Sequence, residues 1–340
     1  MSAPVDIDGV LVQWGDRLFY PSNRIVRPVA PARLTPALRH KAAGIRGRIK
    51  ATVRRAPQVM VKVTGGGRGT RAIGAHISYI DRDGRLPVED DRGAIREGKE
   101  VARDVVEQWR YGGSYIRERG DRREALNVTL SMPDGTDPLA VQRAGREFAQ
   151  TELKGHRWVM VLHDDQANPH VHISVRVESQ TGERLNPRKA DLHRWRETFA
   201  EKLRGWGVEA EATRRQTRGM SRESVPLWQI KAREEHRRID FPGVEAEKET
   251  QGFVYAIEAW GEIIQGLLQS SVPGDRALAQ EVSRYVRTTP FAREVFQRQE
   301  QERRERELKQ ELDRDRVRER ARTAPVMTRS GPERERDIER

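Results

Sequence analysis

Apolar and polar positions change rhythm several times along the chain. HVHISVRVES (residues 170 to 179) alternates with a period of two, as a strand with one buried face does. ALNVTLS (125 to 131) alternates likewise and stops at the turn MPDGTD. RWVMVLH (157 to 163) reads as another strand, and QVMVKVTGGG (58 to 67) is a β-rich run closed by three glycines. Between these runs the period lengthens. Residues 70 to 82 read as a short helix, and 96 to 110 and 138 to 153 carry apolar positions at helical spacing. Residues 186 to 207 form a further helix, opened by Asn-Pro and closed by Gly207. The order from 58 to about 220 is therefore strand, helix, helix, strand, helix, strand, strand, helix. The short link between the strands at 157 and 170 predicts an antiparallel pair. The expected class is α/β, an antiparallel sheet packed with helices and followed by a mostly helical tail.

The flanks read differently. Residues 1 to 57 are punctuated by Pro4, Pro21, Pro28, Pro31, Pro36 and Pro57, and no apolar period persists. They are expected to be a basic arm, either a mobile tail or short helix, or a phosphate-binding arm. Residues 58 to 220 form the central domain, and 221 to 288 a helical region with enough apolar residues to pack. Residues 289 to 340 are expected to be a charged helix followed by a disordered end. Mixed charges four apart can hold such a helix without a core.

Composition narrows the classes. Of 340 residues, 36% are apolar and 34% charged, so a packed core cannot occupy the whole length. There is no cysteine, which excludes disulfides, thiolate zinc, iron–sulfur clusters and a cysteine nucleophile. No run reaches the ~18 apolar residues of a membrane span, and MSAPVDIDGV lacks the order of a secretory signal. A cytoplasmic location is expected. The net charge of +12 points to a polyanion, nucleic acid first.

The densest chemical signal is HDDQANPHVHI, residues 163 to 173, which holds three of the eight histidines. His170 and His172 share one face of a strand, and the turn DDQANP returns His163 alongside them. Three imidazoles can converge on one divalent ion and leave positions open. Asp165 is the candidate to orient a ligating imidazole, and Asp164 reads as a turn residue. The metal could activate water, or it could polarise a phosphate while a side chain attacks. Among six tyrosines, Tyr79 stands out at the end of a helix before Asp-Arg-Asp-Gly, with Tyr115 as the fallback. His76, one turn earlier, either assists Tyr79 or is an exposed helix histidine. Gly65, Gly66 and Gly67 either admit a phosphate or make a tight turn.

His170-Val171-His172 is a His-hydrophobic-His pair, as in the HUH endonuclease superfamily. Within it the chain resembles the conjugative relaxases of the MobA/VirD class. VTGGGRGTRAIGAHISYIDRDGRL (63 to 86) is similar to their first motif, with Tyr79 in the place of the nicking tyrosine. LSMPDGTD (130 to 137) is similar to the second, with Ser131 at its serine, and HDDQANPHVHISVRV (163 to 177) to the third. The resemblance implies an HUH fold over residues 58 to 220 and a metal held by His163, His170 and His172, with Mg or Mn expected and Zn allowed by the donors. It implies that Tyr79 attacks one strand of hairpin or single-stranded DNA at an origin of transfer. That leaves a 5′-phosphotyrosine link that can be rejoined, with Asp165 or a metal-bound hydroxide taking the phenol proton. Ser131, Lys189, Arg214, Arg215 and Arg218 are the expected DNA contacts, with Trp195 either stacking on a base or buried in the core. Relaxosome accessory proteins and a type IV secretion coupling protein are the implied partners. The rival readings are an HUH replication initiator or transposase, a non-catalytic basic DNA-binding protein, and a water-activating metallohydrolase.

Overall fold

A computed structural model describes residues 7–20, 35–118, 122–220 and 243–323. Six strands form one sheet: β1 (Met60–Gly65), β2 (Val88–Asp90), β3 (Ile95–Arg96), β4 (Ala125–Ser131), β5 (Trp158–His163) and β6 (His170–Arg176). Their spatial order is β1-β4-β6-β5-β2-β3, and every pairing between them is antiparallel. The sequence pattern does not anticipate the hairpin β2–β3. Its strands are only three and two residues long, too short to show a period, and two of the three residues of β2 are acids.

Helices cover both faces. On one, Val61, Val128, Leu130, Met160, Val171, Ile173 and Val175 point at α5 (Pro138–Glu152) and α6 (Lys189–Gly205), which supply Phe148, Trp195, Phe199 and Leu203. Asp137 caps α5 by accepting from the Leu139 amide at 3.0 Å, and Pro138 opens its first turn. On the other face, α3 (Thr70–Ile80) and α4 (Val101–Tyr111) bury Ile73, Ile77, Val105 and Trp109 against Val159 and Val161. That cover lies at the β5 side of the sheet. Trp195 is fully buried, edge-on to Phe148, so it is a core residue and not a stacking platform.

The described residues of the segment 1–57 are helical and packed, where an arm was expected. They contain α1 (Ile7–Phe19) and α2 (Pro36–Val53), which pack with α7 (Gly243–Gln269) and α8 (Asp275–Thr288) around a second core. Leu11, Leu18, Ile45, Ile49, Trp260, Ile263 and Val282 fill it. The described prolines, Pro36 and Pro57, mislead because they sit at element boundaries. Pro36 occupies the first turn of α2, where its missing N–H costs nothing, behind a Thr35 cap. Pro4, Pro21, Pro28 and Pro31 lie outside the described residues. Arg46 joins the two ends of this bundle through Asp8 at 3.5 Å and Asp275 at 3.3 Å.

The chain divides into two compact units, residues 1–289 and 290–340. In the second, α9 (Pro290–Thr323) is a helix of 34 residues whose Arg303 and Arg304 reach Glu300 one turn back. The expected helical pattern over 221–242 and the expected disorder over 324–340 fall outside the described residues. Among the described residues, no helix is long and apolar enough to cross a membrane.

Candidate metal centre and nuclease site

Strand register assembles the histidines. His163 in β5 lies directly opposite His170 in β6, and His172 is two residues further along the same face. The ring centroids are 5.0 Å (His163–His170), 4.7 Å (His163–His172) and 4.9 Å (His170–His172) apart. One nitrogen from each ring lies within 4.8 Å of the others.

The other nitrogens are held from outside. His163 Nε2 donates to the Ile80 carbonyl at 2.7 Å, and His170 Nδ1 to the Asn168 carbonyl at 2.9 Å. A carbonyl only accepts, so Nδ1 of His163 and Nε2 of His170 keep their lone pairs. His172 Nδ1 meets the Thr129 hydroxyl at 3.2 Å, leaving its Nε2 inward. Burial, and then the neighbouring imidazoles His163, His170 and His76, push the His172 pKa down to about 3. Burial also lowers that of His163. Neutral rings with oriented lone pairs are the ligating form, so these residues fit a divalent cation.

Tyr79 sits in the last turn of α3 with 72% of its surface exposed. The next residue, Ile80, supplies the carbonyl that holds His163, so the hydrogen bond ties the tyrosine's backbone to the histidine cluster. His76 is not the exposed histidine that one reading of the sequence allows. It is half-buried, and its Nε2 is buried without a hydrogen-bond partner. Its ring stacks beside Tyr79 with centroids 6.4 Å apart, and burial lowers its pKa.

Asp165 does not join the histidine rings. Its carboxylate binds Arg82 at 2.5 Å, and this partner holds its carboxyl below the usual range. A carboxylate so paired is a weaker base. The orienting groups are instead Ile80, Asn168 and Thr129. Two of these are backbone carbonyls, invisible in sequence, and Thr129 is identifiable only once β4 is known to pair with β6.

The expected DNA contacts divide. Ser131 lies directly across from His170 on the histidine face. Lys189 opens α6, which packs on the opposite face, so it does not converge with the triad. Arg214 is half-buried and donates to the carbonyls of Arg17 and Leu18, an anchor for α1. Arg218 donates to the Thr213 carbonyl at 3.2 Å. Arg215 lines a cavity with both. Two of the three glycines serve close packing: a Cβ on Gly66 would lie 2.3 Å from the Ala125 carbonyl and one on Gly67 2.7 Å from Ile73 Cγ1, whereas at Gly65 the nearest atom is 3.8 Å away. Tyr115 accepts from Arg110 beside Ser114, whose carbonyl binds Arg176. Arg176 is four residues along β6 from His172, roughly 13 Å, which separates Tyr115 from the triad.

Residues 88–208 match the family model of the relaxase, MobA/VirD2-like, nuclease domain. Over this span the chain is similar to the nuclease domain of the MobA/VirD relaxases, which supports DNA binding and strand nicking. The matched span contains the three histidines, whereas Tyr79 and β1 precede it. A comparison with curated proteins gives no match.

Proposed function

We propose that this protein is a conjugative relaxase, which nicks and rejoins one DNA strand at an origin of transfer with Tyr79 as nucleophile. The supporting observation is the bond from His163 to the carbonyl of Ile80, the residue after Tyr79. His163, His170 and His172 would hold the cation, and an all-imidazole set favours Mn or Zn over Mg. A divalent cation bound there supplies positive charge to the non-bridging oxygens of the scissile phosphate. The Tyr79 oxygen bonds to phosphorus as the bond to the 3′-oxygen breaks. The phenol proton passes to solvent at the exposed Tyr79 hydroxyl, and the 3′-oxygen takes one up from solvent. His76 packs beside the Tyr79 ring and restricts it. The phosphotyrosyl ester retains the energy of the broken bond, so the 3′-hydroxyl can reverse the step. Relaxosome proteins and a secretion coupling protein complete this reading as partners, in the cytoplasm of the donor cell.

The test is incubation of labelled single-stranded transfer-origin DNA with Mn, followed by a denaturing gel. A metal-dependent protein–DNA adduct is expected from the native chain and none from Tyr79→Phe. Undiminished cleavage by Tyr79→Phe would move the nucleophile to water and favour a metallohydrolase.

A further inference from the structure

The free edge of the sheet carries a second feature. Segment 211–213 pairs with the residues leading into β1: the Glu211 amide donates to Pro57, the Val59 amide to Glu211, and the Thr213 amide to Gln58 Oε1. Past Thr213 the segment turns away, and a cavity of about 500 Å³ opens along the edge of β1. Five cations line it (Lys62, Arg196, Arg214, Arg215 and Arg218), and no carboxylate does.

Elsewhere Arg48 pairs with Glu197 and Arg146 with Glu89, whereas no carboxylate lines this groove. Arg214 and Arg218 spend N–H groups on carbonyls, which are neutral, so their full charges persist. Arg196 is half-buried on α6, and among the described residues its guanidinium makes no hydrogen bond. Its nearest opposing charge, Glu197, only partly offsets a desolvation that lowers its pKa. A half-buried, unbonded guanidinium among four other cations lacks an anion.

Register connects the groove to the histidines. Lys62 lies across from Thr129, and Thr129 across from His172, so all three share one face in one row. Two strand spacings, roughly 10 Å, separate Lys62 from His172. Lys62 is exposed, and Met60 beside it is 47% exposed.

We infer that the groove along β1 binds backbone phosphates of the single strand flanking the scissile bond, with Lys62 and Arg196 as the contacting cations. It rests on the nuclease reading for the identity of the ligand. A phosphodiester supplies the missing anion, Arg196 offers a planar fork to two of its oxygens, and Met60 gives a base an apolar surface. The strand then runs from the cation site across Thr129 and over the sheet edge.

The experiment is fluorescence anisotropy of a labelled oligothymidylate of about 16 nucleotides, over roughly 50–200 mM salt. Each lost phosphate contact weakens single-strand binding about five-fold near 0.1 M salt, so Lys62→Ala with Arg196→Ala should lose about 25-fold. The slope of log affinity against log salt should shrink by about 1.4. Arg196→Lys should restore most of the slope, since it keeps the charge. Mn-induced thermal stabilisation of the double variant reports an intact triad, so a folding failure is recognised. An unchanged affinity and slope in that folded variant overturns the groove, and would fit an edge that instead accepts an extended peptide strand. Loss of the Tyr79 adduct with normal salt-dependent binding removes the nicking reading and leaves the groove standing.

Discussion

Thr129 shows how much of the candidate metal site rests on one hydroxyl. It is the side-chain partner of His172, whereas His163 and His170 lean on carbonyls that no substitution removes. Thr129→Val should weaken cation binding about 10- to 100-fold, read as the Mn concentration needed to raise the melting temperature, and Thr129→Ser should retain it. The same ring carries a pH dependence. The folded His172 resists protonation down to about pH 3, whereas the unfolded one takes a proton near 6.5. Its contribution to stability is therefore full above about pH 6.5 and declines as pH falls towards 3. The melting temperature of metal-free protein should drop more steeply over that window in the native chain than in His172→Gln. Equal slopes would mean that the ring titrates normally. The clustering of the three histidines was legible, because His-x-His on a strand fixes a common face. Asp165 was not, because Arg82, its partner, is 83 residues away in sequence.

At the scale of elements, α1 and α2 meet so closely that a glycine is required. A Cβ on Gly15 would stand 2.4 Å from Ile45 Cγ2. Gly15→Val should cost about 1–3 kcal/mol through overpacking, measured as a lower urea midpoint at unchanged m-value. This contact was not readable in advance. The strands β4, β5 and β6 and helix α5 were, because each carries a clear period and ends at turn residues or a cap. α1 and α2 were obscured by nearby prolines, although α2 buries Ala42, Ile45, Ile49 and Thr52 at three- and four-residue steps. Besides each other, their partners α7 and α8 lie more than 200 positions away, and no local pattern names them. The β2–β3 hairpin was hidden for the opposite reason, being too brief to have a period.

At the scale of the whole molecule, the bundle of α1, α2, α7 and α8 is fastened to the nuclease domain from both sides. The Arg214 guanidinium holds the end of α1, Thr217 donates to the Leu18 carbonyl, and the Trp260 indole donates to the Thr217 carbonyl at 2.8 Å. Deleting residues 1–57 strips the cover from Trp260, Ile263 and Val282. That truncation should bind a hydrophobic dye such as ANS and lose near-ultraviolet dichroism while helicity largely persists. A truncated chain with native near-ultraviolet signal would show that α7 and α8 pack without the N-terminal helices.

The bridge between Arg46 and Asp275 spans 229 residues of chain. At roughly 5–20 residues per second, a ribosome takes on the order of ten to fifty seconds to travel that distance. Helices α1 and α2 emerge first, yet their mates emerge only after the whole sheet has been made. During synthesis their apolar stripes stand unaccompanied beside a nuclease domain free to fold on its own schedule. The segment carrying α1 and α2 is thus long exposed to chaperones and proteases before its bundle can close.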